Sequence, residues 1–359
     1  MSILFSPLKI KNTTLKNRTV ISPMCMYSCV DGFANDFHLV HLGSRALGGT
    51  ALIIQEATAV SPEGRISYGD MGIWSDEHIL KPKEIVNFVH AQKALIGIQL
   101  AHAGRKASHQ LPQEGARKIS PDDKNGWQTY SSSALPFREG EPAPLALDVN
   151  GIEKVKQDYV AATRRAQKAG YDVVEIHAAH GYLFHQFYSP LANNRTDKYG
   201  GSFENRIRLL LEVTELVRAE WPEEKPLFVR ISATDWTEGG WTIEDSVKLV
   251  VELKKRGVDL IDTSTGGNVP KAVIPSEPGY QVKFAEQIKK EANILTGAVG
   301  QITTAEQSEA ILKEGKADLI FYGRESLRDP HFALRAAKEL NADIEWPIQY
   351  QRAKLKLQS

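Results

Sequence analysis

At 359 residues, with 42% hydrophobic and 25% charged residues, the chain can bury a large core, which excludes a disordered polymer. Its 44 Lys plus Arg balance 44 Asp plus Glu, and a net charge of zero excludes a long-range field that would draw in nucleic acid or an anionic membrane. Two cysteines, Cys25 and Cys29, are too few for a disulfide framework or a four-thiolate iron–sulfur cluster.

In chain order, the opening Met1-Ser-Ile-Leu-Phe-Ser-Pro7 has none of the charged and apolar regions of a secretory leader. Apolar runs such as Thr50-Ala-Leu-Ile-Ile54 break far short of the ~20 residues a membrane span needs. A cytoplasmic protein without a membrane partner is the expectation. Short β-branched runs at 19–22, 51–55, 96–100, 173–176, 227–231, 260–262, 294–296 and 319–322 alternate with amphipathic stretches, predicting an α/β fold, a single (β/α)8 TIM barrel over 1–359. The clearest helix follows Ser202 as its cap, carries Ile207, Leu210, Leu211, Thr214 and Val217 on one face, and stops at Pro222. Residues 107–150, rich in Pro, Ser and charge, read as an inserted lid after the third strand. A solvated excursion is the plainer alternative.

Nearly all unusual polar residues fall at carboxyl ends of predicted strands, the face on which barrels of this kind carry catalysis. They are Ser22-Pro-Met-Cys-Met-Tyr27, Gln55-Glu-Ala57, Gln99-Leu-Ala-His-Ala-Gly-Arg-Lys106, Glu175-Ile-His-Ala-Ala-His-Gly-Tyr182, Arg230, and Tyr322-Gly-Arg324. Taken singly, a Gln or Arg there also serves as a loop anchor, and a lone His as a structural residue. His177 and His180 at a spacing of three, followed by Tyr182, bring two imidazoles and a phenol to one place. No H-E-x-x-H pattern or cysteine pair supplies further ligands, so no metal is expected.

Neither G-x-G-x-x-G after the first strand nor G-x-x-x-x-G-K-[ST] occurs, which leaves no sign of a Rossmann site or a nucleotide-triphosphate loop. Gly297, Gly300 and Gly323, after strands seven and eight, stand where barrels bind phosphate through backbone N–H groups, with Arg324 as a clamp. FMN or a sugar phosphate fits such a site.

These motifs, with Leu15-Lys-Asn-Arg-Thr-Val-Ile-Ser-Pro-Met-Cys-Met-Tyr27, Gly72-Ile-Trp-Ser-Asp76, Asn194-Arg-Thr-Asp-Lys-Tyr-Gly-Gly-Ser-Phe-Glu-Asn-Arg206 and Gln349-Tyr-Gln-Arg352, span nearly the whole chain in order. In them the chain resembles the old yellow enzyme family, and within it the bacterial thermophilic-like class of NADPH dehydrogenases and ene-reductases. The resemblance implies non-covalent FMN resting on Ser22, Pro23, Met24 and Cys25, with close approach at Ala57. It implies Gln99 and Arg230 on the flavin's pyrimidine edge, and Gly300, Gly323 and Arg324 on its phosphate. Cys25 would touch flavin and substrate and tune the potential instead of acting as a nucleophile; a small buried filler is its plainer reading.

Ping-pong hydride transfer from NADPH through flavin N5 to an electron-poor alkene is implied likewise. His177 and His180 would polarise the substrate's carbonyl or nitro oxygen, Tyr182 would protonate the α carbon, and Tyr27 would line the pocket. Arg352, in a tail over 341–359, would enter a neighbouring subunit's site in a homodimer or homotetramer; a solvated terminal charge is its alternative. His102 and Lys106 receive no sharp role beyond loop ordering, and Trp127 and Tyr130, in the lid segment, have no assigned counterpart in the family. A barrel aldolase or isomerase would want a lysine within a strand, and none is predicted there. A flavin-binding redox sensor would lack turnover, and the larger dienoyl-CoA reductase relatives need an iron–sulfur cluster and a second nucleotide domain.

Overall fold

The computed structural model describes residues 2–354. Eight parallel strands close into one barrel: β1 (Thr19–Ile21), β2 (Leu52–Ala59), β3 (Leu95–Ala101), β4 (Val173–Ala178), β5 (Leu227–Ser232), β6 (Leu260–Ser264), β7 (Leu295–Ala298) and β8 (Leu319–Tyr322), with β8 pairing back onto β1. Every predicted strand lies on an observed one. The largest difference is β2, which runs on to Ala59 because the register shifts between Gln55 and Ala57; the bulge carries Ala57 level with Gln99.

The helices follow from their caps and apolar faces. They are α1 (Asp36–Leu47), α2 (Leu80–Ala91), α3 (Val149–Ala169), α4 (Leu183–Tyr188), α5 (Phe203–Glu220), α6 (Ile243–Lys255), α7 (Val282–Ala292), α8 (Ala305–Lys313), α9 (Arg324–Arg328) and α10 (Phe332–Glu339). Ser202 caps α5 by accepting from the Asn205 N–H, and Ile207, Leu210, Leu211, Thr214 and Val217 are buried as their spacing requires. Asp148 caps α3 by accepting from Gly151, so the segment after β3 ends at 148 and Val149 and Asn150 belong to a helix. No helix among the described residues is long and apolar enough to cross a membrane.

Inside the barrel, two chemistries are stacked. Leu52, Ile54, Val173, Phe228, Leu260, Leu319 and Phe321 form a buried floor at the amino end, sealed by Ile10 and Leu15 of an antiparallel hairpin, Leu8–Ile10 with Thr13–Leu15. Emptying this floor at one residue, as in Phe228→Ala, would cost about 3–5 kcal/mol. Two residues further along β4, β5 and β6, the period-two alternation turns Glu175, Arg230 and Asp262 inward above the floor. The barrel is therefore apolar below and ionic above, where the strands deliver their carboxyl ends.

Candidate active site

The β1 exit is stitched to β8 by the Ser22 N–H, which donates to Tyr322 O at 3.0 Å. Ser22 Oγ is buried with no partner among the described residues. Beyond it, the Met26 N–H donates to Glu56 Oε2 at 2.9 Å, and Tyr27 sits at φ +52°, a left-handed conformation unusual for a bulky residue. The Cys25 and Tyr27 side chains lie close enough for each to influence the other's titration. Burial, followed by the nearby Asp70 and Glu56 carboxylates, holds the Cys25 thiol well above its ordinary range. It is a protonated thiol, in keeping with a contact residue and not a nucleophile. Tyr27 is held protonated likewise, by burial first.

The ionic layer lies next to this loop. Gln99 Nε2 donates to Glu175 Oε1 at 2.7 Å, and Arg230 Nε stands 2.9 Å from Asp262 Oδ2. Burial, and then the charge of Asp262, raises the Glu175 carboxyl above the usual range; burial raises Asp262 as well, against the pull of Arg230. Despite their proximity, Arg230 Nε and both Asp262 carboxylate oxygens are buried with no hydrogen-bond partner among the described residues.

β4 then presents the imidazole pair. The His177 and His180 rings stand 5.2 Å apart at 90°, and Tyr182 packs edge-on to His177 at 4.9 Å. Desolvation, followed by the charge of Arg230, drives both histidines well below their ordinary range, so each is a neutral ring with one N–H. Tyr182 is raised well above the phenol range by burial and keeps its proton. His180 is held at φ +57°. Its N–H donates to Ser232 Oγ at 2.9 Å, and its carbonyl accepts from Lys106 Nζ at 2.9 Å. Lys106 also donates to Gly267 O at 2.9 Å, tying the loop after β4 to the loop after β6. Only glycine fits there: a Cβ on Gly181 would lie 2.2 Å from Gly267 O. Desolvation lowers Lys106 to about 8. His102 is a local organiser, its Nδ1 accepting from the Gly104 N–H at 3.0 Å, with desolvation lowering it to about 4.

At the β7–β8 edge, Gly300, Gly323 and Arg324 line one cavity of about 280 Å³ together with Tyr280, Gln281 and Arg328. Gly300 has φ +117°. Gly297, expected beyond the strand with Gly300, lies instead within β7, where a Cβ would stand 2.2 Å from the Phe321 ring, and it does not line this cavity.

Residues 107–148 fold back over this face. Phe137 and Arg138 from that segment line a cavity of about 290 Å³ with Tyr27, Lys106 and Gly267, and Phe137 lies under the Lys106 ammonium at 4.6 Å. Trp127 Nε1 donates to Glu63 O at 3.0 Å, an anchor for the segment and not a site group. Tyr130 pairs with Leu145 in a two-residue strand contact.

The fold does not bring Arg352 to the site within its own chain. Its short helix, Ile348–Ala353, borders a cavity with Lys16, Gly49 and Lys93, at the amino end of the barrel, and Arg352 is exposed. Residues 355–359 of the predicted tail lie outside the described residues. Several residues that shape the site carry no local motif. Glu175 and Asp262 sit in strands too short for their alternation to stand out, and Ser232, Ser264 and Gln281 announce themselves only through partners distant in sequence.

Known proteins show which family the chain and its barrel belong to. Residues 3–343 match the model of the NADH:flavin oxidoreductase / NADH oxidase family. An NADPH dehydrogenase of Bacillus velezensis is 51% identical over 352 residues, 98% of each chain. The old yellow enzyme homologue of Zymomonas mobilis superposes with a TM-score of 0.78 at 29% identity, over 96% of this chain and 95% of that one. A 2-naphthoyl-CoA reductase gives a TM-score of 0.85 at 25% identity over 94% of this chain, which spans 52% of that longer protein.

Proposed function

Because the chain belongs to the NADH:flavin oxidoreductase / NADH oxidase family, as an oxidoreductase that uses FMN and NADPH, we propose that it reduces the activated C=C bond of α,β-unsaturated carbonyl or nitro compounds. The residues present fit FMN. An unpartnered buried Ser22 hydroxyl, a buried Arg230 whose Nε has no hydrogen-bond partner, and a cavity edged by Gly300, Gly323 and Arg324 offer donors for a ring edge and a phosphate. Pro23, Met24, Cys25, Ala57 and Gln99 complete that reading. Held by these residues, FMN would supply the hydride-transfer chemistry that links NADPH to the alkene.

The chain's own residues do the rest. His177 and His180, neutral and mutually perpendicular, donate N–H groups to the substrate oxygen and draw electron density from the β carbon. Tyr182 keeps its proton until carbanion character develops at the α carbon, and then delivers it. Tyr27 lines the substrate side, with Cys25 beside it. Phe137 and the segment around it exclude water. Arg352, exposed and remote from its own site, reaches the site of a neighbouring copy in a homodimer or homotetramer. A cytoplasmic location belongs to the same reading.

The observation that carries this proposal is the pair of neutral imidazoles beside a protonated phenol at the end of β4. It is tested in one anaerobic cuvette: visible flavin absorbance should bleach with NADPH and return with 2-cyclohexenone. Bleaching with no return on addition of cyclohexenone, maleimide or a nitroalkene would refute it.

A further inference from the structure

The hydrogen bonds around the imidazole pair fix where each proton sits, and that placement conflicts with a two-donor role unless a third residue intervenes. The Ala179 N–H donates to His177 Nδ1 at 3.2 Å, which leaves the single proton of neutral His177 on Nε2. His177 Nε2 in turn faces His180 Nδ1 at 3.4 Å. Two facing nitrogens share one proton, so His180 Nδ1 is a lone pair and its proton lies on Nε2. That N–H points to Ser264 Oγ at 2.8 Å. Ser264 passes its own proton toward Gln281 Oε1 at 3.4 Å, an oxygen that also accepts from Thr265 Oγ1 at 2.6 Å.

In this arrangement only His177 can offer an N–H to a bound oxygen. His180 would present a lone pair, and its repulsion of a carbonyl oxygen would work against polarisation. An imidazolium would remove the difficulty, but Arg230, Lys106 and burial all oppose a second charge there. A hydroxyl, unlike a carboxylate or an amide, can serve a ring nitrogen as acceptor or as donor by rotating about one bond.

We propose that Ser264 is a positioning residue that sets the tautomer of His180: its hydroxyl accepts from Nε2–H in the ligand-free protein, and donates to Nε2 when a substrate oxygen occupies the site. His180 then loses a proton at Nε2 and gains one at Nδ1 by exchange with water. Neither its charge nor its proton count changes, and Nδ1–H joins His177 Nε2–H as a donor. The long Ser264–Gln281 contact, against the short one from Thr265, fits a hydroxyl held loosely enough to turn. Gln281 also lines the cavity of Gly300 and Gly323, so this relay begins at the proposed phosphate site. The inference rests on the proposed role of the histidine pair.

The test uses FMN-loaded, oxidised protein labelled with ¹⁵N-histidine, in which cyclohexenone binds without a hydride to react with. Long-range ¹H–¹⁵N correlation should report His180 as Nε2–H alone and as Nδ1–H with 2-cyclohexenone. Ser264→Ala should abolish that change and weaken cyclohexenone about tenfold, the worth of an ordinary buried hydrogen bond, whereas Ser264→Thr should restore both. His180 remaining Nε2–H in the wild-type complex overturns the proposal and needs no variant that folds. Unchanged cyclohexenone affinity in His177→Ala/His180→Ala would instead overturn the donor-pair reading beneath it.

Discussion

Lys106 Nζ donates to the carbonyl oxygen of His180 at 2.9 Å, so a buried ammonium from the β3 loop holds a left-handed residue at the end of β4. A left-handed non-glycine residue costs about 1–3 kcal/mol, and it persists where its surroundings over-determine it. Lys106→Met keeps most of the volume and removes the bonds to His180 and Gly267. It should lower kcat/KM for 2-cyclohexenone at least tenfold and stability by about 1–3 kcal/mol, read by steady-state rates and urea denaturation. Wild-type values for both would show that Lys106 merely fills space.

Replacing His177 and His180 together with Ala should remove two donors, each commonly worth ~10²–10³ in rate, from enone reduction. Bleaching of the flavin by NADPH should survive. Stopped-flow measurement of the two half-reactions separates these, and a near-normal oxidative half-reaction would exclude the pair from catalysis.

Cys25 is held as a thiol by burial and by the Asp70 and Glu56 carboxylates. Iodoacetamide at pH 8 should therefore alkylate it far more slowly than a free peptide cysteine, by at least tenfold, with mass spectrometry as the readout. Rapid labelling at Cys25 would show a stabilised thiolate and reopen a nucleophilic role.

Glu175 carries a raised carboxyl, protonated in the folded chain and ionised in the unfolded one between the usual carboxylate range and about pH 8. Folding thus takes up a proton in that window. Stability is greatest below the carboxylate range and falls as pH rises toward 8, by at most about 1.4 kcal/mol per pH unit for this group. Glu175→Gln should flatten the fall in urea midpoint between pH 5.5 and 8; an unaltered profile would assign it to other groups.

Truncation after Gln351 removes Arg352, which lies at the amino end of its own barrel. If Arg352 completes a neighbour's site, KM for cyclohexenone should rise severalfold while NADPH-driven bleaching is unchanged. Kinetics indifferent to the truncation would leave Arg352 a solvated surface charge.

The barrel was legible because eight short β-branched runs, most of them with polar residues at the carboxyl end, have few other arrangements that bury them. His177, His180, Tyr182 and the Ser22-to-Tyr27 segment were legible for the same reason: they stand at strand ends. Glu175 and Asp262 sit mid-strand, where five or six residues give the alternation little length in which to show itself. The tasks of Lys106 and Ser264 depend on carbonyls and rings 74 to 161 residues away, a proximity that closing the barrel creates and no local pattern encodes. Gly297 was misplaced because a glycine needed for the Phe321 ring looks, in sequence, like one needed for a ligand.

The hairpin that seals the amino end of the barrel has a consequence for traffic. A vessel stoppered below has one mouth, so whatever arrives must wait for its predecessor to go out the same way. In the proposed reaction, nicotinamide and alkene would be rivals for a single doorway, and an excess of either should slow the other.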